Sequence, residues 1–466
     1  MKINKQVGSA ATVTPEKQRS YNEIVEFLDA NWTTNTQDTT LNNLKQLDKA
    51  LGSVSTKVNT ILIAGSNGKS LTINFATPLL QAEGLTVGAF YMPHLLTYNE
   101  RFAINKEHIS NKTFTDLGNE VLNTAKDLAI ELNSSEILTM MALLYFNANK
   151  VDVALLEVSN LYNAPTICNA KITAITRITT DDAGKTGLAI TQMLELVKAG
   201  THVISADQSK LSLQTMLTMV ESKGAIWEMP IRKLAQLNYP FEQLHGRCAA
   251  LAERIAQIYV NTILSKDSIV VSGSLLTKQK GQRGRPTLEA KRQQELNPRK
   301  TIEQFWKETE ATLPARFQLL DKEKPTILLD NATNLDAFEN LLLGIRLLYY
   351  QRPLKGLTLV IGCNNPDLNM LDFLKALRYF FKKTSGQVIV CPTQPIASQS
   401  NLVSWDVEKV TNEIKGMKIK AKSAKSFKDA FDMAQKSVDE RNGLVVVTGS
   451  SAIITEYWQH KDIKKL

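Results

Sequence analysis

The sequence predicts two α/β domains, each built on a mainly parallel sheet that is covered by helices. From residue 21 onward, short apolar segments alternate with helical patterns, which is typical of parallel strands buried on both faces. One polar and strongly basic segment, residues 277–300, interrupts this alternation, which then resumes. The length of 466 residues and the 43% hydrophobic content suit two or three globular domains with a substantial core.

The individual elements follow from apolar patterning. Predicted helices cover residues 21–30, 41–51 and 136–148, and another begins near Leu71. Predicted strands cover residues 60–64, 86–90, 151–158, 174–178 and 202–205, and later 326–329, 357–361, 387–390 and 443–447. The resulting domain plan is a polar tail (1–20), a first domain (21–276), a basic linker (277–300) and a second domain (301–466).

Composition indicates where in the cell the protein resides and which class of ligand it binds. The first 20 residues contain no apolar core of a signal peptide, and no run of ~18 apolar residues predicts a membrane span. The four scattered cysteines fit reduced thiols, so we expect a cytoplasmic protein. The net charge of +9 favours anionic ligands such as nucleotides or nucleic acid, without choosing between them.

The sharpest local signal is the hexapeptide Gly65-Ser66-Asn67-Gly68-Lys69-Ser70, between a predicted strand and a predicted helix. Glycines let a backbone approach a phosphate, and the amides at a helix N-terminus donate to it. We expect the amides around Asn67 and the ammonium of Lys69 to contact phosphate, with Ser70 near Mg²⁺. The strict pattern GxxxxGK[ST] is not met, because Ile63 occupies the position of the first glycine. A plain strand–helix turn with a surface lysine is the alternative.

The basic segment 277–300 contains an RGRP core at residues 283–286. Such a core resembles an AT-hook, whose arginines enter an A·T-rich minor groove. A single four-residue match is weak, and a solvated linker is the preferred interpretation.

Further motifs follow the phosphate loop in order along the chain. They are PHLL (93–96), NERF (99–102), NKEHIS (105–110), Glu157 ending a strand, PARF (314–317), LDNATN (329–334) and VVTGS (446–450). Together with the AGSNGKS loop, this ordered set resembles the motifs of folylpolyglutamate synthases, members of the Mur ligase superfamily. The order, over residues 40–460, is more specific than any one motif.

The resemblance implies a Mur-ligase-like fold, with a P-loop parallel-sheet ATPase domain followed by a smaller Rossmann-like domain. It implies a ligase in which ATP phosphorylates a carboxylate and the amine of an amino acid attacks the acyl phosphate. The implied substrates are a folate-like carboxylate and an amino acid such as glutamate, with ATP and Mg²⁺ as cofactors. A monomer that binds neither membrane nor nucleic acid is expected.

The resemblance also implies roles for particular residues. Lys69, Glu157 and Asp182 would be catalytic, and Ser70, Glu157 and Asp182 would hold the metal. The nucleotide would be bound by the loop Gly65, Ser66, Asn67, Gly68, Lys69 and Ser70, and from the second domain by Arg316, Asp330 and Asn334.

Several positions depart from the motifs of the family. Met92 replaces a serine that serves the metal, Asp182 replaces a histidine, and Thr333 replaces the histidine of the AHN motif. The carbamylated lysine of the family aligns with Met193, or in a competing alignment with Lys198. The glycines after Glu157 are also replaced.

Three interpretations therefore stand at this stage. The chain is a divergent ligase, a nucleotide-binding relative with little or no ligase activity, or a binding module that uses the basic segment. The survival of Lys69, Glu157, Arg316 and Asp330 favours the first.

Overall fold

The structure of the protein is a computed structural model. It describes residues 17–32, 41–158, 164–181, 185–266, 301–309, 312–365, 368–394, 396 and 404–466. The predicted basic linker, with its RGRP core, lies outside the described residues, as does most of the predicted polar tail. Within the described ranges, no helix combines the length and the apolar character needed to cross a bilayer.

The first sheet has eight strands in the order β4-β3-β2-β5-β1-β6-β7-β8. In chain order they are β1 (Thr60–Ala64), β2 (Val87–Phe90), β3 (Phe102–Ile104), β4 (Glu107–His108), β5 (Val153–Glu157), β6 (Ile172–Ile175), β7 (His202–Ser205) and β8 (Ile226–Glu228). The six strands from β2 to β8 in this order are parallel, whereas β3 and β4 add antiparallel at one edge. The carboxyl ends of β2, β5, β1 and β6 therefore lie side by side.

Helices cover both faces of this sheet, as its apolar strands require. In chain order they are α1 (Tyr21–Ala30), α2 (Asn42–Ala50), α3 (Val54–Lys57), α4 (Lys69–Ala82), α5 (Asn111–Asp127), α6 (Ser134–Ala148), α7 (Thr186–Leu194), α8 (Lys210–Ser222) and α9 (Phe241–Ile258). Alternate residues of β1 enter different cores: Leu62 packs with residues of α1 and α6, while Ile61 packs with residues of α4 and α9. Each side chain of β1 is thus buried, which explains why the strand reads as continuously apolar.

The second sheet has six strands in the order β13-β12-β11-β14-β10-β9. They are β9 (Gln318–Leu320), β10 (Thr326–Asp330), β11 (Leu357–Ile361), β12 (Gln387–Val390), β13 (Ala421–Ser423) and β14 (Leu444–Thr448). All pairs are parallel except β9 with β10. Its helices are α11 (Leu335–Gln351), α12 (Met370–Phe381), α13 (Val407–Gly416), α14 (Phe427–Lys436) and α15 (Ser451–His460).

The helix between the two halves packs against the first sheet, which precedes it in the chain, and not against the second sheet. The helix Ile302–Glu308, here α10, links the two halves and begins just after the proposed boundary at residue 301. Its Ile302 and Trp306 are buried in the core of the first sheet. The indole of Trp306 donates to Glu253 Oε1 at 2.6 Å, and its ring packs edge-on against Phe75. By its contacts this helix belongs with the first sheet, so packing divides the chain after it.

Most predicted strands match the structure to within two residues, but one differs. The strand predicted at 174–178 runs from Ile172 to Ile175. Thr176 still donates its amide to Ala64 O at 2.8 Å, and beyond it the chain turns across the loop that follows β1. The predicted strand was too long at this end because Ile178 is apolar. In the structure Ile178 packs in a separate cluster with Met193 and Val203.

The link helix gives a stability prediction. Trp306 is 1% exposed, so Trp306→Ala removes a buried ring and leaves a cavity, and we expect it to cost about 3–5 kcal/mol of unfolding free energy. Urea denaturation followed by circular dichroism measures this. Tyr350→Ala is the control, because Tyr350 is 79% exposed and its loss should stay within about 0.5 kcal/mol. Equal losses in the two variants would contradict the packing of this helix.

Candidate functional site

The segment predicted as a phosphate loop joins the end of β1 to the start of α4. Gly68 caps α4 in the left-handed region, at φ 95°. A Cβ at this position would stand 2.7 Å from Cys248 Sγ, so both the backbone angle and the space require glycine. The chain thereby enters α4 with its first amides pointing out of the sheet edge.

The amides of this loop divide into two groups. Ser66 N and Asn67 N both donate to the carbonyl of Arg177, at 2.9 and 3.2 Å. In this structure these two amides already have an acceptor, and the expectation that the amides around Asn67 contact a phosphate stays a prediction. The first bond of α4 runs from Thr72 N to Gly68 O, so the amides of residues 68–71 have no acceptor within the helix. The first turn of α4 is therefore the part of this segment that offers amides without a helical acceptor.

Lys69, Ser70 and Glu157 form one cluster at the adjoining ends of α4 and β5. The Lys69 ammonium donates to Gly65 O and Ser66 O and lies 4.0 Å from Glu157 Oε1. Ser70 Oγ donates to Glu157 Oε2 at 2.9 Å, and Met92 N lies 3.4 Å from the same oxygen. Burial raises the pKa of Glu157, whereas the charge of Lys69 and the hydrogen bond from Ser70 act to lower it. Burial also lowers the pKa of Lys69, opposed by the Glu157 charge.

The second half of the chain docks directly on this loop. The side-chain amides of Asn67 and Asn334 are bonded reciprocally, at 3.0 and 2.8 Å. Asp336 accepts from Asn67 Nδ2 at 2.9 Å and from Arg177 Nε at 2.7 Å. We call these four residues, Asn67, Arg177, Asn334 and Asp336, the interdomain clasp. Because Arg177 also holds two loop amides through its carbonyl, the clasp fixes the loop and the start of α11 together.

Arg316 and Asp330, which the resemblance assigns to the nucleotide, belong to the second half and line the same cavity as the loop residues Asn67 and Gly68. Asp330 ends β10, and its Oδ2 accepts the amide of Phe317 at 2.8 Å. Burial raises the pKa of Asp330 to about 6, while hydrogen bonds from the Phe317 and Ala332 amides and the Arg316 charge act to lower it. Burial lowers the pKa of Arg316, and the charges of Asp330 and Glu157 oppose that shift. Arg316 therefore sits between carboxylates from both sheets.

A cavity of about 260 Å³ opens between the two halves, which we call the first cavity. Its lining includes Gly68 and the clasp residues Asn67, Arg177 and Asp336, together with Arg316 and Asp330. Leu71, Leu251 and Leu341 contribute apolar walls. The cavity thus joins the open amides at the start of α4 to an apolar space large enough for a flat ring.

His245 also lines the first cavity, from the early turns of α9. The side chain is 5% exposed, and its Nδ1 makes no hydrogen bond within the described residues. Burial, with the nearby Arg316 charge, lowers the pKa of His245 to about 4, so the ring is neutral at neutral pH. A neutral imidazole nitrogen in this position can bind a ligand group.

The positions that depart from the family motifs lie as follows. Asp182 lies outside the described residues, so its predicted metal role stays a prediction. Met193 is buried in an apolar cluster below β6 and β7. Lys198 Nζ donates to Cys168 O at 3.3 Å, and Cys168 contacts Thr60, at the opposite end of β1 from the loop. Thr333 contributes its carbonyl to Asn365. Neither Met193 nor Lys198 joins the cluster around Glu157.

The oxygen atoms of Ser70 and Glu157 suit a metal ion that takes its remaining ligands from substrate or water rather than from the protein. Within the described ranges, no cluster of three His, Cys, Asp or Glu side chains is arranged to hold a metal ion. Ser70 and Glu157 nevertheless present hydroxyl and carboxylate oxygens side by side. Mg²⁺ is commonly held by one or two such protein oxygens together with substrate phosphates.

Sequence reasoning did not single out Arg177, Asp336 or His245 as members of this site. Arg177 follows β6, the neighbour of β1 in the sheet. Because the carboxyl ends of adjacent parallel strands lie together, its position after a predicted strand could have indicated that it belongs to the site. Asp336 stands two residues after Asn334, in the first turn of α11. For His245 the sequence held no such signal, since its role depends on how α9 packs.

Comparisons with known proteins support the fold. The chain is 29% identical over 224 residues to a dihydrofolate synthase/folylpolyglutamate synthase of Bacillus subtilis, covering 46% of this chain and 49% of that protein. It is 33% identical over 152 residues to the Haemophilus influenzae protein of the same name, covering 31% and 33%. The chain thus matches half or less of the length of these relatives. No family model matches the sequence.

Solved structures match over nearly the whole chain. Folylpolyglutamate synthase of Mycobacterium tuberculosis complexed with ADP superposes with a TM-score of 0.73 at 19% identity, covering 94% of this chain and 98% of that one. The bifunctional Yersinia pestis folylpolyglutamate synthase/dihydrofolate synthase, complexed with AMPPNP and Mn ion, gives 0.70 at 20%, covering 97% and 100%. The chain therefore has the Mur-ligase-like fold of these proteins, as the sequence predicted.

The clasp gives a prediction about coupling between the halves. Arg177→Met and Asp336→Asn each break the same 2.7 Å ion pair, so their effects on unfolding free energy should be non-additive. The Arg177 side chain is 36% exposed, which limits the expected coupling to about 0.5–1 kcal/mol. A double-mutant cycle in urea measures it.

The exposed Lys375–Asp372 pair provides the matched control, since both its side chains face solvent within one helix. Its cycle should give a smaller coupling. Full additivity at Arg177 and Asp336 would contradict the clasp.

Proposed function

We propose that this chain is an ATP-dependent carboxylate–amine ligase that acts on a folate-like acid and an amino acid such as glutamate. The observation that carries the proposal is the first cavity, which residues at the start of α4 and Arg316 from the second half line together. The proteins that share the fold and part of the sequence are named folylpolyglutamate synthases, and some are complexed with ADP or AMPPNP.

In this proposal the nucleotide occupies the first cavity. Its phosphates lie at the N-terminus of α4, where the amides of residues 68–71 and the helix dipole favour negative charge. Lys69 and Arg316 supply positive charge on either side, and Asn67 and Asn334 close the loop over the phosphates. The base lies among the leucine side chains, within reach of the neutral His245 ring.

The metal ion would be held by Glu157 and Ser70, with Asp182 proposed as a third ligand. A bound Mg²⁺ would neutralise phosphate charge during transfer. Without it, the Ser70 hydroxyl and the Lys69 ammonium already share the Glu157 carboxylate. Exchange of these contacts for metal contacts would leave Lys69 free to move toward the phosphates.

The proposed reaction has two steps. A carboxylate oxygen forms a bond to the terminal phosphorus of ATP, and the bond to the bridging oxygen breaks, leaving its electrons on ADP. The amine nitrogen then bonds the acyl carbon, phosphate leaves with the C–O bonding electrons, and the nitrogen loses a proton. Lys69 and Arg316 hold the transferring group, and the closed halves exclude water from the acyl phosphate.

The departures from the family motifs keep a second candidate open: a nucleotide-binding protein with little or no ligase activity. Met92, Thr333 and the lost lysine position support it, because each replaces a residue with a role in the family. The intact Lys69–Ser70–Glu157 cluster favours the ligase. A monomeric, cytoplasmic enzyme completes the proposal.

The experiment that tests the ligase measures incorporation of isotope-labelled glutamate into tetrahydrofolate, with and without ATP and Mg²⁺. We expect ATP-dependent incorporation by the wild type and none by Lys69→Met. ADP affinity should fall about 10–100-fold in that variant, since charged hydrogen bonds contribute about 1.5–3 kcal/mol. Lys375→Met removes an exposed lysine instead and should change neither.

Two outcomes separate the candidates. ADP binding by the wild type without incorporation would select the non-catalytic relative. Absence of ADP binding by the wild type would end both.

A further inference from the structure

The short segment that follows β6 is held in place by a single side chain from the neighbouring strand connection. Regular pairing of β6 with β7 ends before this segment. Gln208, which follows β7, then bonds it twice: its Oε1 accepts the amide of Ile178 at 2.9 Å, and its Nε2 donates to Thr176 O at 2.7 Å. Arg177 lies between the two bonded residues, so the side chain of Gln208 fixes the backbone on both sides of it.

Only a side-chain amide can make both of these bonds at neutral pH. A primary amide carries an acceptor and a donor at one end, whereas a carboxylate offers acceptors alone and an alkyl chain offers neither. Gln208 is 7% exposed, so water cannot easily replace either bond. The position of residues 176–178 therefore depends on the amide of Gln208.

Arg177, the residue in the middle of this segment, has two other contacts. Its carbonyl accepts the amides of Ser66 and Asn67 at 2.9 and 3.2 Å, and its Nε donates to Asp336 at 2.7 Å. One residue thus holds the loop that follows β1 and also carries the ion pair of the interdomain clasp. A shift of the segment would move both contacts together.

The loop also packs directly against this segment. A Cβ added to Gly65 would stand only 2.1 Å from Thr176 Oγ1, so the two backbones approach as closely as glycine allows. Thr176 and Arg177 line the first cavity, whereas Gln208 does not. Any influence of Gln208 on a ligand in that cavity must therefore pass through the segment that it holds.

We propose that Gln208 is a positioning residue of the nucleotide site, which acts through Arg177 to set the loop and the interdomain clasp. This inference rests on the proposed function, because it assigns Gln208 a part in nucleotide binding. Without the amide, residues 176–178 lose two anchors, and the common acceptor of the Ser66 and Asn67 amides is no longer fixed. The loop then reaches its binding geometry in a smaller fraction of molecules, and nucleotide affinity falls by that fraction.

Calorimetric titration with ADP and Mg²⁺ tests the role of Gln208 against a matched control. Asn119 on α5 holds the backbone of Arg19 in the same way: its Oδ1 accepts the Arg19 amide at 2.7 Å and its Nδ2 donates to Arg19 O at 2.9 Å. It is 5% exposed and does not line the first cavity. Gln208→Leu and Asn119→Leu should both lower stability toward urea. Only Gln208→Leu should weaken ADP binding, by about three- to tenfold.

Gln208→Glu supplies a rescue that simple loss of packing cannot mimic. The carboxylate accepts from Ile178 N but places a second acceptor against Thr176 O, so affinity at about pH 8 should fall as in Gln208→Leu. Burial raises the pKa of a carboxyl group, and its protonated form again has a donor. Affinity relative to the wild type should therefore recover as the pH falls toward about 5.5. The ratio to the wild type at each pH cancels the titration of neighbours such as Asp207, Lys210 and Arg177.

Hydrogen exchange of the peptide that spans the loop gives a measurement that needs no ligand. The amides of Ser66 and Asn67 are protected by the carbonyl of Arg177. In Gln208→Leu their exchange should be about tenfold faster than in the wild type, because local opening becomes more frequent. In Asn119→Leu it should be unchanged.

The outcomes separate this inference from the proposed function. Absence of ADP binding by the wild type would end the proposed function and the nucleotide role of Gln208 with it, whatever the loop exchange shows. Wild type that binds ADP, with Gln208→Leu binding it equally well, would overturn this inference alone. An equal loss of affinity in Asn119→Leu, or no recovery of Gln208→Glu at low pH, would also overturn it, because the effect would then come from general destabilisation.

Discussion

The amide-to-amide contact between Asn67 and Asn334 is the interaction on which the rest of the site depends. It joins the phosphate loop of the first sheet to the helix start of the second, and Asp336 and Arg177 close the same junction with an ion pair. Without this contact the two sheets would carry separate halves of a site, since Lys69 and Glu157 belong to one and Arg316 and Asp330 to the other. The geometry of the first cavity therefore follows from how the halves dock.

The same junction leaves a buried polar atom beside the first cavity. His245 Nδ1 belongs to a residue that lines this cavity, and it makes no hydrogen bond within the described residues. Buried polar atoms are usually bonded, but several others in the described residues also lack a partner, so it is the position of His245 at a cavity that makes a ligand contact a reasonable proposal. Arg316 and Asp330 line the same cavity from the second half.

Local signals in the sequence were enough to predict the fold class and to place the loop of residues 65–70 between a strand and a helix. Continuous apolar strands such as residues 60–64 and 357–361 are unambiguous, because burial on both faces leaves no polar alternation. Short edge strands such as β4 and β9 were missed, since two or three residues carry too little pattern. The helix that contains Trp306 was assigned to the second domain, because its packing on the first sheet depends on long-range contacts that no local pattern reveals.

The site itself was predictable where one segment carries the chemistry, and not where several must meet. Lys69 and Ser70 were predicted because the loop motif is local, and Arg316 and Asp330 because the resemblance aligned them; their roles stay predictions. The backbone amides of Ser66 and Asn67 donate to the carbonyl of Arg177, and this contact exists because β6 lies beside β1. No pattern within the loop reveals that contact.

A crystal structure of the chain with ADP and Mg²⁺ tests the central claim most directly. The account predicts the diphosphate at the amides of residues 68–71, with Arg316 on its far side and the base beside His245. Nucleotide bound elsewhere, or bound at the loop with the second half turned away from it, would contradict the account.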